Sequence, residues 1–221
     1  MARSRRRSFA QHAMESDPIV RIYESRLWRR SLVVRAMLGL SFEREAALIR
    51  DAMQLGAARD VLDVACGSGI YTRPFARALP DGRVVGLDLS RPMLRHALRR
   101  ARAEHLENVS FVRGDALRLP FPDARFDVVN CCGALHLFPD AARALREVHR
   151  VLRPGGRFTV AAVRRDEGVL APIAAVLGRL GVESFTTRTL AELLEGAGFE
   201  SVQIHHARAF WVIASAAKPR A

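Results

Sequence analysis

The chain has 221 residues, 49% of them hydrophobic and 26% charged, with a formal net charge of +12. At about 150 residues per domain, that length fits one domain with room for an appended lid. A chain of this size buries roughly 70% of its unfolded surface without staples. The composition excludes disorder over most of the length, collagen-like repeats and a disulfide scaffold.

The charge has an unusual make-up. Lys218 is the only lysine, so 34 of the 35 basic residues are arginine. Four arginines lie in Met1–Arg7, and the others are spread along the chain, often beside Glu or Asp. This skew reads as a codon-composition effect rather than a nucleic-acid surface, though a diffuse positive field still draws anionic substrates or lipid. No run of about 18 uncharged apolar residues is present, so no transmembrane helix is expected. The basic start lacks a following apolar run and does not read as a secretory signal, which favours a cytoplasmic protein. Cys66, Cys131 and Cys132 are too few for a disulfide framework and suit a reducing compartment. Without histidines at metal spacing they read as small buried residues near a cleft, and no metal site is expected.

Residues 1–16 read as a basic, disordered tail. From Asp17 to about Met53 apolar residues recur near helical spacing, as in Ile19, Ile22, Tyr23 and Leu27, then Leu32, Val33, Ala36 and Met37. Gly39-Leu40-Ser41 breaks this segment, and Ser41 can cap a second helix. Residues 17–55 thus form an N-terminal helical segment. From Val61 short apolar runs alternate with helical patterns. Strands are expected at Val61–Ala65, Arg83–Asp88, Val109–Val112, Phe126–Cys131 and Arg157–Val163. Helices are expected at Tyr71–Leu79, from Ser90 to about Glu104, and at Pro139–Val151. Arg153-Pro154-Gly155-Gly156 reads as a tight turn before the fifth strand. An apolar insertion spans Val169–Leu180, within a less regular stretch near 165–186. Thr187 caps a further helix, and two strand-like runs, Ser201–His206 and Phe210–Ala214, read as a hairpin at the sheet edge. The pattern predicts an α/β fold: a doubly wound, mostly parallel seven-stranded sheet with an antiparallel C-terminal hairpin and an N-terminal helical lid.

The strongest local signal is Val61-Leu62-Asp63-Val64-Ala65-Cys66-Gly67-Ser68-Gly69. A strand ending in Gly-x-Gly lets a ligand approach the backbone closely, and the following helix start presents unpaired N–H groups. Asp88 stands nineteen residues beyond Gly69, at the end of the second strand, where an acidic side chain can accept both hydroxyls of a ribose. Gly114-Asp115-Ala116 follows the third strand and offers a carboxylate to an adenine amino group. Thr72 occupies the place of the third glycine that accompanies a bound pyrophosphate, which favours a ligand smaller than a dinucleotide.

With VLDVACGSG, VVGLDLS, RGDALRLPFPDARFDVV and REVHRVLRPGGRF in order, residues 61–163 resemble class I S-adenosylmethionine-dependent methyltransferases of the small-molecule type, which includes the ubiquinone and menaquinone methyltransferases. The resemblance implies S-adenosylmethionine as cofactor and S-adenosylhomocysteine as product, with residues 56–221 as the cofactor-binding domain. It implies that Asp63, Gly67 and Gly69 frame the methionine part, with Ala65, Cys66 and Ser68 also among the cofactor-binding residues. Asp88 would then hold the ribose, and Leu89 and Met93 would pack near the adenine. Gly114, Asp115 and Ala116 would meet the adenine edge, while Asn130, Cys131 and Cys132 would line the floor near the methyl group. Cys66 and Ser68 stand where the family varies. The transfer is an in-line displacement, so positioning supplies much of the rate and no dedicated catalytic side chain is required.

His136, just past the fourth strand, reads either as a general base, with an ordinary pKa of about 6.5, or as a core histidine. Tyr23 and Trp28 read either as cover over the acceptor or as core packing. Of His205 and His206, one is expected to face solvent. The apolar N-terminal helices and the insertion suggest a small lipophilic or aromatic acceptor, methylated on oxygen or carbon of a phenol- or quinone-like ring. A specific nucleic-acid partner is not expected, since no aromatic-basic cluster is present; a homodimer is compatible with the sequence. The alternatives are a cofactor-binding protein without transferase activity, or a nucleotide-dependent oxidoreductase. The latter is disfavoured by the missing third glycine and by the position of the single lysine at the tail.

Overall fold

A computed structural model of the chain describes residues 31–165, 178 and 181–220. Tyr23, Trp28, the tail, the first part of the helical segment and most of the apolar insertion lie outside the described residues.

Two helices come first, α1 (Leu32–Leu38) and α2 (Phe42–Met53). Gly39 closes α1 in the left-handed region (φ 69°), a conformation that glycine adopts without steric penalty. The Ser41 hydroxyl caps α2 by accepting the Arg44 N–H. Then β1 (Asp60–Val64), α3 (Thr72–Ala78), β2 (Arg83–Asp88), α4 (Arg91–Ala103), β3 (Val109–Arg113), β4 (Phe126–Cys132), α5 (Ala141–Val151) and β5 (Leu152–Val163) alternate as expected. The chain ends with α6 (Thr187–Gly196), β6 (Glu200–Arg208) and β7 (Trp211–Ala217).

The seven strands form one sheet in the order β3-β2-β1-β4-β5-β7-β6. All neighbours are parallel except at β7, which runs antiparallel to both β5 and β6. All five residues of β1 are buried, as for a central parallel strand covered on both faces. One apolar layer packs Leu62, Val129, Phe158 and Val212 against α5 and α6. The other packs Val61, Val84 and Ile213 against α2 and α3. In α5 the buried residues Ala141, Ala144, Leu145, Val148 and Val151 make one stripe at helical spacing. β1 lies between β2 and β4, so the strand order reverses there and opens a crevice at the carboxyl ends of β1 and β4.

Three local expectations are corrected. The turn at Arg153–Gly156 lies within β5: Leu152 pairs with Phe126 and Arg157 with Val128, and the residues between bulge out of register. Gly155 and Gly156 exchange backbone hydrogen bonds with Lys218 (both 2.9 Å), which holds the bulge in the sheet. The cap of α6 is Thr186, not Thr187, because Thr186 and Thr189 each bond the other's backbone N–H. Neither His205 nor His206 is solvent-exposed; both are half-buried. A register shift in β6 breaks the alternation, and their rings meet the Ser215 hydroxyl (2.7 Å) and the Leu38 carbonyl (2.9 Å).

Candidate active site

The turn after β1 is shaped by three left-handed residues: Ala65 (φ 53°), Gly67 (φ 54°) and Gly69 (φ 77°). The two glycines serve different ends. A Cβ on Gly69 would press on Ala97 and the Phe111 ring at 3.3 Å, so that glycine allows α4 and β3 to close against the turn. A Cβ on Gly67 would meet only the Met93 sulfur, at 4.0 Å. Its lack of a side chain leaves room on the crevice side. Beneath the turn the Arg73 guanidinium donates to the Ser68 carbonyl (2.6 Å) and to Glu104 (3.1 Å).

Asp63 lies buried in the layer beneath the turn. Its carboxylate is fully buried and accepts from the Thr72 hydroxyl (2.5 Å) and the Asn130 amide (2.7 Å). Asn130 in turn accepts from Thr159 (2.8 Å) and from the Cys132 thiol (2.9 Å). Thr72 therefore stands at the third-glycine position because a hydroxyl is needed to satisfy Asp63. Burial, together with the neighbouring Asp88 charge, raises the Asp63 pKa to about 6 against the donors of Thr72 and Asn130. Asn130, Cys131 and Cys132 are buried within β4, and their side chains belong to this network or to the core. Burial pushes all three cysteine thiols up, so none is a ready nucleophile.

Asp88 lies at the end of β2, facing the turn. One carboxylate oxygen accepts the Gly67 N–H and the other the Ser90 N–H, both at 2.8 Å. Burial raises its pKa, partly offset by the backbone donors of Ser90, Gly67 and Leu89. The carboxylate is thus fixed in direction by three backbone donors and retains acceptor capacity for a hydroxyl donor. Leu89 is half-buried and Met93 buried beside it. Asp115 is exposed, with one oxygen accepting the Leu117 N–H at 2.9 Å; Ala116 behind it is buried. Gly114 is required by packing, since a Cβ there would lie 2.7 Å from the Leu87 side chain.

His136 sits in a short 3-10 turn, Leu135–Leu137, after β4. Its ring is buried, and burial lowers its pKa to about 4. Nδ1 accepts the Val163 N–H at 3.4 Å, so the neutral ring carries its proton on Nε2. At neutral pH this ring is a weak base and presents a donor.

Sequence reasoning missed Glu45, Tyr71 and Trp211. Glu45 is buried on α2 and accepts the Trp211 indole N–H at 2.7 Å. No local pattern announces a contact between residues 166 positions apart. Lys218 donates to the carbonyls of His149 and Leu152, both at 2.8 Å, at the C-terminal end of α5. That is the end of the sheet opposite the crevice. Among the described residues no group of His, Cys, Asp and Glu could hold a metal ion.

A family model described as a methyltransferase domain matches residues 61–156. The demethylmenaquinone methyltransferase of Geobacillus stearothermophilus is 39% identical over 121 residues, 53% of this chain and 52% of that protein. The demethylmenaquinone methyltransferase of Lactiplantibacillus plantarum is 33% identical over 175 residues, covering 68% of this chain and 74% of that protein. The chain belongs to the class I S-adenosylmethionine-dependent methyltransferases. Among solved structures, the cyclase SpnF has a TM-score of 0.68 at 25% identity, over 81% of each chain. This methyltransferase chain spans about half the length of the Geobacillus relative. No described helix of this family member is long and apolar enough to cross a membrane.

Proposed function

We propose that the protein transfers a methyl group from S-adenosylmethionine to a small lipophilic or aromatic acceptor, on oxygen or carbon of a phenol- or quinone-like ring. The observation that carries this reading is the Asp88 carboxylate, pinned by the Gly67 and Ser90 N–H groups beside an open glycine. The residues present fit the cofactor. Gly67 leaves space, the buried Ser68 hydroxyl has no protein partner, and Asp88 offers a fixed carboxylate to a sugar hydroxyl. When bound, S-adenosylmethionine supplies a methyl group already activated on a sulfonium.

In this reading Asp88 holds the ribose and Leu89 and Met93 flank the adenine. Asp115 and the backbone around Ala116 meet the adenine edge, and Ala65 to Gly69 enclose the methionine part. Asp63 and Asn130 keep the turn in place from below. The two neighbouring carboxylates, Asp63 and Asp88, give the crevice a negative field that favours a cation. His136 orients an acceptor oxygen through its Nε2–H rather than removing a proton. Residues 17–55, with the insertion near 165–186, form the acceptor cover and residues 56–221 the cofactor domain. The demethylmenaquinone methyltransferase relatives favour a quinone-like ring as the acceptor.

The test is mass spectrometry of quinols and phenols incubated with methyl-labelled S-adenosylmethionine. The reading expects one labelled methyl on an acceptor and stoichiometric S-adenosylhomocysteine. Tight cofactor binding without methylation of any acceptor would favour the second reading, a cofactor-binding protein without transferase activity. The likeness to the cyclase SpnF supports that alternative.

A further inference from the structure

A glutamate on an amphipathic surface helix is expected to reach water, yet Glu45 is only 2% exposed. Its carboxylate joins three parts of the molecule. It belongs to α2, it accepts the indole N–H of Trp211 at 2.7 Å, and it is hydrogen-bonded by the side chain of Tyr71, two residues past the glycine turn. Phe42, one helical turn before Glu45, lies against the same Tyr71 ring at 5.6 Å. Trp211 meets His136 edge to face, with ring centres 6.0 Å apart and planes at 71°. Val163 closes the circuit: it pairs with Trp211 across β5 and β7, and its N–H is the donor to His136 Nδ1. The Glu45 charge also acts on the buried Cys132 thiol of β4, raising its pKa.

We propose that Glu45 is a positioning residue for the acceptor wall, fixing the Trp211 indole and through it the His136 ring, while Tyr71 ties the same carboxylate to the cofactor turn. The proposal rests on reading the crevice as a methyl-transfer site. A carboxylate is suited to this task because it accepts from two donors at once, and the burial that raises its pKa also strengthens both bonds. In this arrangement the N-terminal helices do more than cover the crevice. They set the orientation of the buried His136 ring just past β4.

The experiment uses the full chain, labelled with nitrogen-15, as wild type and as Glu45→Leu, Glu45→Gln and Trp211→Phe. The chain has two tryptophans, Trp28 and Trp211, so the indole region holds two signals and Trp211→Phe assigns them. In the wild type the Trp211 indole N–H should be shifted downfield and slow to exchange, with His136 locked as the Nε2–H tautomer. Glu45→Leu should lose the downfield shift and release the His136 tautomer. Glu45→Gln, which keeps an acceptor oxygen for the indole, should restore both. A folded Glu45→Leu protein with unchanged Trp211 and His136 signals overturns the proposal. If Glu45→Leu does not fold, Trp211→Phe decides: it keeps a ring beside His136 but removes the donor, and unchanged His136 signals there also overturn it. Calorimetry with S-adenosylhomocysteine, run on the same wild-type sample, separates the two readings. Absence of binding sinks the methyl-transfer reading, whereas the nitrogen signals report on Glu45 alone.

Discussion

The Asp88 carboxylate accepts the Gly67 N–H at 2.8 Å. The end of β2 and the turn after β1 therefore form one unit, and the side chain assigned to the ribose also shapes the backbone assigned to the methionine part. Gly67→Ala separates conformation from ligand approach. The added Cβ meets no protein atom closer than the Met93 sulfur at 4.0 Å, so the cost is the left-handed backbone, about 1–2 kcal/mol. The variant should fold, melt earlier, and bind S-adenosylhomocysteine far more weakly than the stability loss accounts for. Near-normal affinity by calorimetry would mean that the ligand does not pass over Gly67.

Thr72→Val tests the layer beneath the turn. It removes the hydroxyl donor to Asp63 and leaves the buried carboxylate with only the Asn130 amide and the backbone N–H of residue 72. We expect a loss of about 1–3 kcal/mol in unfolding free energy, a further rise in the Asp63 pKa, and weaker cofactor binding at neutral pH. Chemical denaturation and the carboxyl carbon shift of residue 63 would measure these. Unchanged stability would show that Thr72 stands at the third-glycine position for another reason.

Cofactor affinity should depend on pH in a ligand-specific way. Burial raises the pKa of both Asp63, to about 6, and Asp88. As pH falls through about 6 the free protein takes up protons there, and the negative field that favours a cation fades. Binding of the sulfonium S-adenosylmethionine should therefore weaken toward about pH 5 more steeply than binding of the uncharged thioether product. Parallel titration curves for the two ligands would remove the charge argument.

His136 gives a stability signature of opposite sign to a histidine whose pKa is raised by a carboxylate partner. Its folded pKa is lowered to about 4 by burial, so the unfolded chain, with an ordinary value near 6.5, takes the proton more readily. Its contribution is fully present above about pH 6.5 and is lost as pH falls toward 4. His136→Gln should flatten the acid limb of a melting-temperature profile across that window. The rate profile of the wild type should show no inflection near 6.5 from this residue, and one there would restore it as a general base.

Much of the fold was legible because its signals are local. Buried strands read as continuous apolar runs, Ser41 and Gly39 mark a helix start and stop, and the glycine turn and Asp88 fall at a spacing set by one strand–helix–strand unit. The elements that escaped depend on distant partners. Arg153–Gly156 has the composition of a turn, and its pairing with the distant Lys218 helps to keep it in β5. His205 and His206 mislead because a register shift overrides alternation. Thr72, Arg73 and Glu45 have no motif of their own. Each is placed by a buried partner that the sheet brings close, and Glu45 meets Trp211 across most of the chain.

The most direct test of the central claim is calorimetric titration of S-adenosylhomocysteine into the wild type and into folded Asp88→Ala. The account predicts binding to the wild type at one site per chain, no binding of NAD, and a loss of about 1–3 kcal/mol in the variant from the missing hydroxyl partners. Equal affinity in the two proteins, or no heat from the wild type, would contradict it.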